Sequence, residues 1–255
     1  MTAPEPGLKE RLRKLLGPVI AFAVTVAKFG ALILKLKFVV VIGSMLVSLG
    51  AYAWLFGWTF AVGFIVLLFV HEMGHVVVLR ARGIDACLPV FLPFLGAFVS
   101  MKSTPRSVYD ESLSGIAGPI FGVAGAFGCL FLGSAYDSDL FRVLAYTGFF
   151  LNLFNLLPVL PLDGGRTVAS LSPKLWLVGL LTLLGFEVVR PSPVIPLILV
   201  LGSYELYRRW KGRNTEQSKA YFTLTRQQRL HIGSLYVGLI AVILWAMHTY
   251  PLPPR

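Results

Sequence analysis

Charge is scarce in this chain. Only 14% of its 255 residues are Asp, Glu, Lys or Arg, against about 25% in a soluble domain. With 56% hydrophobic residues and a mean hydropathy of +0.76, an ordinary soluble globule is excluded. Cysteine is nearly absent. Cys87 and Cys129 are too few for a disulfide framework, and each reads as a small apolar filler. There is no Gly-rich phosphate loop, RNA-binding aromatic signature or zinc-finger spacing, so the net charge of +11 does not point to nucleic acid. Lys and Arg instead flank apolar runs, where they meet the anionic headgroups of a lipid bilayer. Residues 1–7 hold no apolar stretch ending in a small-residue cleavage site, and Glu5 and Glu10 with little serine argue against a transit peptide. The expectation is that no leader is removed.

What is present is a series of apolar runs. Seven spans are predicted, at about 38–57, 58–79, 113–135, 140–158, 175–189, 194–207 and 232–249. A full crossing takes about 20 residues, so the fifth and sixth read as a partial hairpin. The predicted fold is an all-α polytopic membrane protein of about seven spans, with an N-terminal interfacial helix and a short re-entrant β-hairpin. Residues 1–37 form a basic amphipathic segment in the interface, with a first crossing at 16–34 as the alternative. Residues 38–210 form a membrane-embedded core, and residues 211–255 a cytoplasmic loop and final span. If the N-terminus is cytoplasmic, every Lys and Arg except Arg142, Arg190 and Arg255 falls on the cytoplasmic side, as the distribution of positive charge in membrane proteins requires. Residues 91–102, broken by Pro93 and Gly96, read as a hairpin dipping into the bilayer. Irregular backbone survives there only against protein or in a wet cavity.

One of these runs holds His71-Glu72-Met73-Gly74-His75. Polar groups at membrane depth are rare and mostly functional. Positions i and i+4 share a helix face, so His71 and His75 are placed to hold one metal ion with Glu72 beside them, and a zinc hydrolase site is the reading to test. With a rise of about 1.5 Å per residue, the pair lies about 6–12 Å inside the cytoplasmic boundary, and water needs an entrance from that side. A catalytic zinc site takes three protein ligands and an open position. His231 and His248 sit at opposite ends of the last span and read as interfacial residues. Asp163 is the best third ligand, because it follows the fourth span and returns to the end that carries His75. Gly164 and Gly165 let the chain turn closely there. Asp85, Asp110 and Glu111 are rivals that lie nearer the water.

The motif at 71–75, together with Asn155-Leu156-Leu157-Pro158-Val159-Leu160-Pro161-Leu162-Asp163-Gly164-Gly165, resembles the site-2 protease family of intramembrane zinc metalloproteases. Ser114-Gly115-Ile116-Ala117-Gly118-Pro119 and the hairpin end Gly96-Ala97-Phe98-Val99 are similar to the same pattern. The family's PDZ and CBS domains are not recognisable, so the chain resembles a minimal member. The resemblance implies zinc ligands His71, His75 and Asp163, the base Glu72, and a substrate-facing amide at Asn155. It implies a substrate that is a transmembrane protein or peptide, and a bacterial cytoplasmic membrane with the active site toward the cytoplasm.

A transmembrane helix must unwind before its peptide bonds can be reached, and the freed backbone groups need partners. Gly96, Ala97, Phe98 and Val99 are placed to supply them by strand pairing; the alternative is a plug that closes the cavity. Two other functions are open at this point: a divalent-metal transporter, and a catalytically inactive membrane scaffold. The near-absence of carboxylates from the other spans weighs against the first, and intact Glu72 against the second. Substrate identity, regulation and oligomeric state are not legible.

Overall fold

The computed structural model describes residues 38–252, apart from residues 95, 102, 173, 193 and 213. The expected interfacial segment at 1–37 lies outside the described residues. The chain divides after Ser44 into two units, and apart from residues 38–44 of the first helix the second carries everything below.

Four helices are long and apolar enough to cross a bilayer by themselves: α1 (Phe38–Phe56), α2 (Trp58–Ala81), α3 (Val108–Ala135) and α9 (Arg226–Thr249). Three more occupy the remaining predicted spans: α4 (Asp139–Asn155), α6 (Lys174–Val189) and α7 (Val194–Gly212). Their 17 and 16 residues leave α4 and α6 short of a full crossing, and α7 carries Glu205, Arg208, Arg209 and Lys211 in its second half. The expected seven elements are thus helical, and four of them meet the requirements of length and apolarity. Two short helices, α5 (Asp163–Val168) and α8 (Glu216–Tyr221), complete the set.

Packing follows the small residues. In α2 the buried positions Ala61, Ile65, Leu68, Glu72, His75 and Leu79 recur at helical spacing, so one face is turned inward, while Val62, Val66, Phe69 and Val77 are exposed as a lipid-facing side would be. That inner face lies against α3. A Cβ added at Gly74 would collide with the Ala117 carbonyl, so only glycine lets the two backbones come this close. Gly148 brings α4 against Ala126 of α3 in the same way. Val123, Ala126, Ala145, Phe149, Ile243 and Ala246 then join α3, α4 and α9 in one core.

Helix starts are set by polar caps rather than by the first apolar residue. Ser107 accepts from the Asp110 N–H, and Asp110 and Glu111 fill the first turn, where the helix dipole favours acids. The third helix therefore begins at Val108, ahead of the expected 113. Thr225 and Gln228 form a reciprocal capping box, which starts α9 at Arg226, ahead of 232.

The expected hairpin is present as β1 (Val90–Leu92) and β2 (Gly96–Phe98), antiparallel with Phe91 opposite Ala97. Phe91 and Ala97 join Ile65 and Leu68 of α2 in one apolar cluster, and Val99 and Met101 join Val76 and Leu79 in another. The hairpin thus lies along α2 on both sides of the His-Glu-Met-Gly-His segment.

Candidate metal centre

His71 and His75 project from successive turns of α2 toward Asp163, the first residue of α5. One nitrogen from each imidazole and one Asp163 oxygen lie within 4.8 Å of one another. The contacts are 3.0 Å from His71 Nε2 to Asp163 Oδ2, 3.2 Å from His75 Nε2 to the same oxygen, and 3.3 Å between the two nitrogens. All three side chains are buried or nearly so; Asp163 is 13% exposed.

The outer nitrogens decide what the inner ones can do. His75 Nδ1 lies 2.6 Å from the Ser114 carbonyl, which can only accept. His71 Nδ1 lies 2.8 Å from Asn152 Oδ1, and the Asn152 amide donates through Nδ2 to the Gly148 carbonyl at 2.7 Å. Each imidazole therefore carries its proton on Nδ1, and two Nε2 lone pairs face a carboxylate. One shared proton relieves at most one of these three contacts, whereas a cation among them satisfies all three at once. Two imidazoles, a carboxylate and outer hydrogen bonds that aim them form a donor set suited to a divalent metal.

Neighbouring elements fix these side chains. A Cβ at Gly118 would fall on Nε2 of both histidines, so α3 walls the group off with a bare backbone. Gly164 and Gly165 are helical and seat α5 on the backbone of residues 156–160. The expected sharp turn around an ion is not what they provide; they provide close packing, because a Cβ at either would strike that segment. Trp176 Nε1 of α6 donates to the Gly165 carbonyl at 2.7 Å, which ties α5 to α6, and within α5 Thr167 Oγ1 donates to the Asp163 carbonyl at 2.8 Å.

Glu72 is buried at 6% exposure and makes no hydrogen bond or ion pair with the described residues; Arg166 lies near enough to act on it electrostatically. Arg166 Nη2 donates to Ser114 Oγ at 3.0 Å. The rival carboxylates are engaged elsewhere. Asp110 pairs with Arg82. Glu111 takes both Arg209 amino groups, at 3.1 and 2.5 Å, and the Tyr221 hydroxyl at 2.8 Å. Burial, and next the Glu111 carboxylate, push the Tyr221 phenol above its ordinary pKa. His231 contacts Tyr109 near the start of α3.

Asn155 is half-buried in the last turn of α4, its amide free of hydrogen bonds to the described residues. Asn152, one turn earlier, is the asparagine that meets His71. Sequence reasoning passed over Asn152 and Arg166. The available signal for Asn152 was an amide in the middle of an apolar run.

Among the described residues, helices long and apolar enough to cross a membrane accompany a group of two histidines and an aspartate able to hold a metal ion. Residues 59–138 match the model of peptidase family M50, so over these residues the chain is similar to that family. It is 33% identical over 118 residues to a zinc metalloprotease of Methanocaldococcus jannaschii, covering 43% of this chain and 34% of the relative. It is 30% identical over 199 residues to Rip3 of Mycobacterium tuberculosis, covering 72% of this chain and 49% of that one. The chain thus spans about a third to a half of the length of the curated relatives it matches. Among solved structures it resembles a site-2 protease from Methanocaldococcus jannaschii, with 21% identity, a TM-score of 0.41, and coverage of 71% of this chain and 88% of the other.

Proposed function

We propose that this protein is a zinc endopeptidase that hydrolyses peptide bonds within or near transmembrane segments of membrane proteins. The observation that carries the proposal is the convergence of Asp163 with His71 and His75, the two histidines on a helix long enough to cross a bilayer, beside the Glu72 carboxylate, which has no hydrogen-bond partner among the described residues. His71, His75 and Asp163 would hold the ion. When bound, zinc supplies a Lewis acid that brings the pKa of water to about 7 and polarises a carbonyl.

The remaining steps belong to the chain. Glu72, one residue from His71 and without a competing donor among the described residues, takes the proton of the attacking water and returns it to the leaving amine. Burial strengthens its field on the reacting atoms. Asn155, at the end of α4 with an amide uncommitted among the described residues, donates to the substrate backbone. Gly96, Ala97, Phe98 and Val99 offer backbone groups to an unwound substrate strand. Residues 38–210 act as the catalytic core, and residues 211–255 add the loop and the final span. The orientation follows the positive charges: N-terminus and site toward the cytoplasm of a bacterial cell, with basic flanks on anionic headgroups.

The test is cleavage of a single-span substrate by purified protein in detergent. Glu72→Gln is expected to keep its metal and to lose about 10²–10⁴-fold in rate. Retained cleavage would remove the protease reading. Metal transport into vesicles unaffected by the same substitution would favour a transporter instead.

A further inference from the structure

The two histidines are aimed by different means. His75 Nδ1 donates to a main-chain carbonyl, that of Ser114, at 2.6 Å, and no side-chain substitution removes that acceptor. His71 Nδ1 donates to a side chain, Asn152 Oδ1, at 2.8 Å. Asn152 comes from α4, a separate helix, and is 1% exposed. Its amide is held in one orientation from two directions. Nδ2 donates to the Gly148 carbonyl one turn back, at 2.7 Å, so the oxygen cannot exchange places with the nitrogen without setting two acceptors or two donors against each other. Gly122 of α3 presses on the amide so closely that a Cβ there would overlap Oδ1, Nδ2 and Cγ of Asn152.

We infer that Asn152 is a positioning residue: its clamped amide oxygen keeps the His71 proton on Nδ1 and turns the Nε2 lone pair toward Asp163 and His75. The inference rests on the reading of that group as a metal centre. It gives α4 a part in metal binding, although α4 supplies no ligand. It also gives Gly122 a reason beyond helix packing, because only a residue without a side chain leaves room for the amide. The role is distinct from that of Asn155, whose amide makes no hydrogen bond to the described residues. Outer partners of metal-binding histidines typically change affinity by about 10–100-fold when removed.

The experiment is titration of the metal-free full-length protein in detergent with Co2+, read by its visible ligand-field spectrum, followed by competition with Zn2+. Three variants are compared with wild type. Asn152→Leu keeps the volume and removes the acceptor. Asn152→Asp keeps the acceptor and removes the donor to Gly148. Gly122→Ala displaces the amide without touching a ligand. Asn152→Leu and Gly122→Ala are expected to bind about 10–100-fold more weakly with an altered cobalt spectrum, while Asn152→Asp stays within about threefold of wild type. Wild-type affinity in Asn152→Leu overturns the inference. So does equal loss in the Leu and Asp variants, which is the mark of a packing role. Should Asn152→Leu fail to fold, Gly122→Ala decides, and undiminished affinity there overturns it. His71→Ala serves as the reference: if wild type takes up no cobalt, or takes it up as well as His71→Ala does, the metal centre itself is wrong.

Discussion

Gly118 carries the tightest constraint on the metal-ligating group, since any side chain there meets Nε2 of both histidines. Those imidazoles cannot swing aside, because their outer nitrogens are tied to Ser114 and Asn152. Gly118→Ala is therefore expected to lower divalent-metal affinity by at least about tenfold, with the helices intact; equilibrium dialysis with Zn2+ and circular dichroism check both halves. The pairing of His71 with His75 was legible in the sequence because i and i+4 always share a helix face. Asp163 was legible because the chain had to return to the same end of the bundle. Asn152 was not. An amide in an apolar helix reads equally well as interhelical glue, and choosing between Asn152 and Asn155 requires the rotation of α4 about its axis, which periodicity in so apolar a segment does not give.

Among the elements, the N-terminal end of α3 is tied to α7 and α8 by Glu111, which binds Arg209 through two hydrogen bonds and Tyr221 through a third. Arg209 also lies over the Trp176 ring of α6, 5.3 Å from its centroid. Arg209→Ala leaves a buried carboxylate without its cation and is expected to cost about 3–5 kcal/mol, read as a lowered thermal midpoint in detergent. Replacing both partners, Glu111→Leu with Arg209→Leu, should recover most of that loss, because no charge is left unpaired. The hairpin offers a second prediction. Proline at Ala97 or Val99 removes a backbone N–H, so cleavage of a helical membrane substrate should fall about tenfold or more, while cleavage of a short unstructured peptide changes little. Equal rates on both substrates would mean that the strand only packs against α2. The turn at Pro93 and Gly96 announced this hairpin, and Thr225 to Gln228 announced the start of α9, whereas the early start of α3 was hidden because hydropathy sees apolar residues and not the cap that precedes them.

For the whole molecule, α2 and the short α5 place three side chains able to hold a metal ion against α3, where Gly118 leaves room for them. The seven predicted spans correspond to seven helices, but apolarity alone does not say which short ones cross. α4 and α6 are shorter than a bilayer is thick, and α7 carries four charged side chains in its second half. Pairing of one of them, Arg209, with Glu111 of α3 is a tertiary fact that no local pattern encodes. The measurement that bears most directly on the central claim is the metal content of the purified protein, wild type beside Asp163→Ala, by elemental analysis after removal of loosely held ions. Wild type should retain about one zinc per chain, and Asp163→Ala should retain little or none while keeping its helical signal. Equal zinc in the two proteins would contradict the assignment of Asp163, His71 and His75 to a single ion.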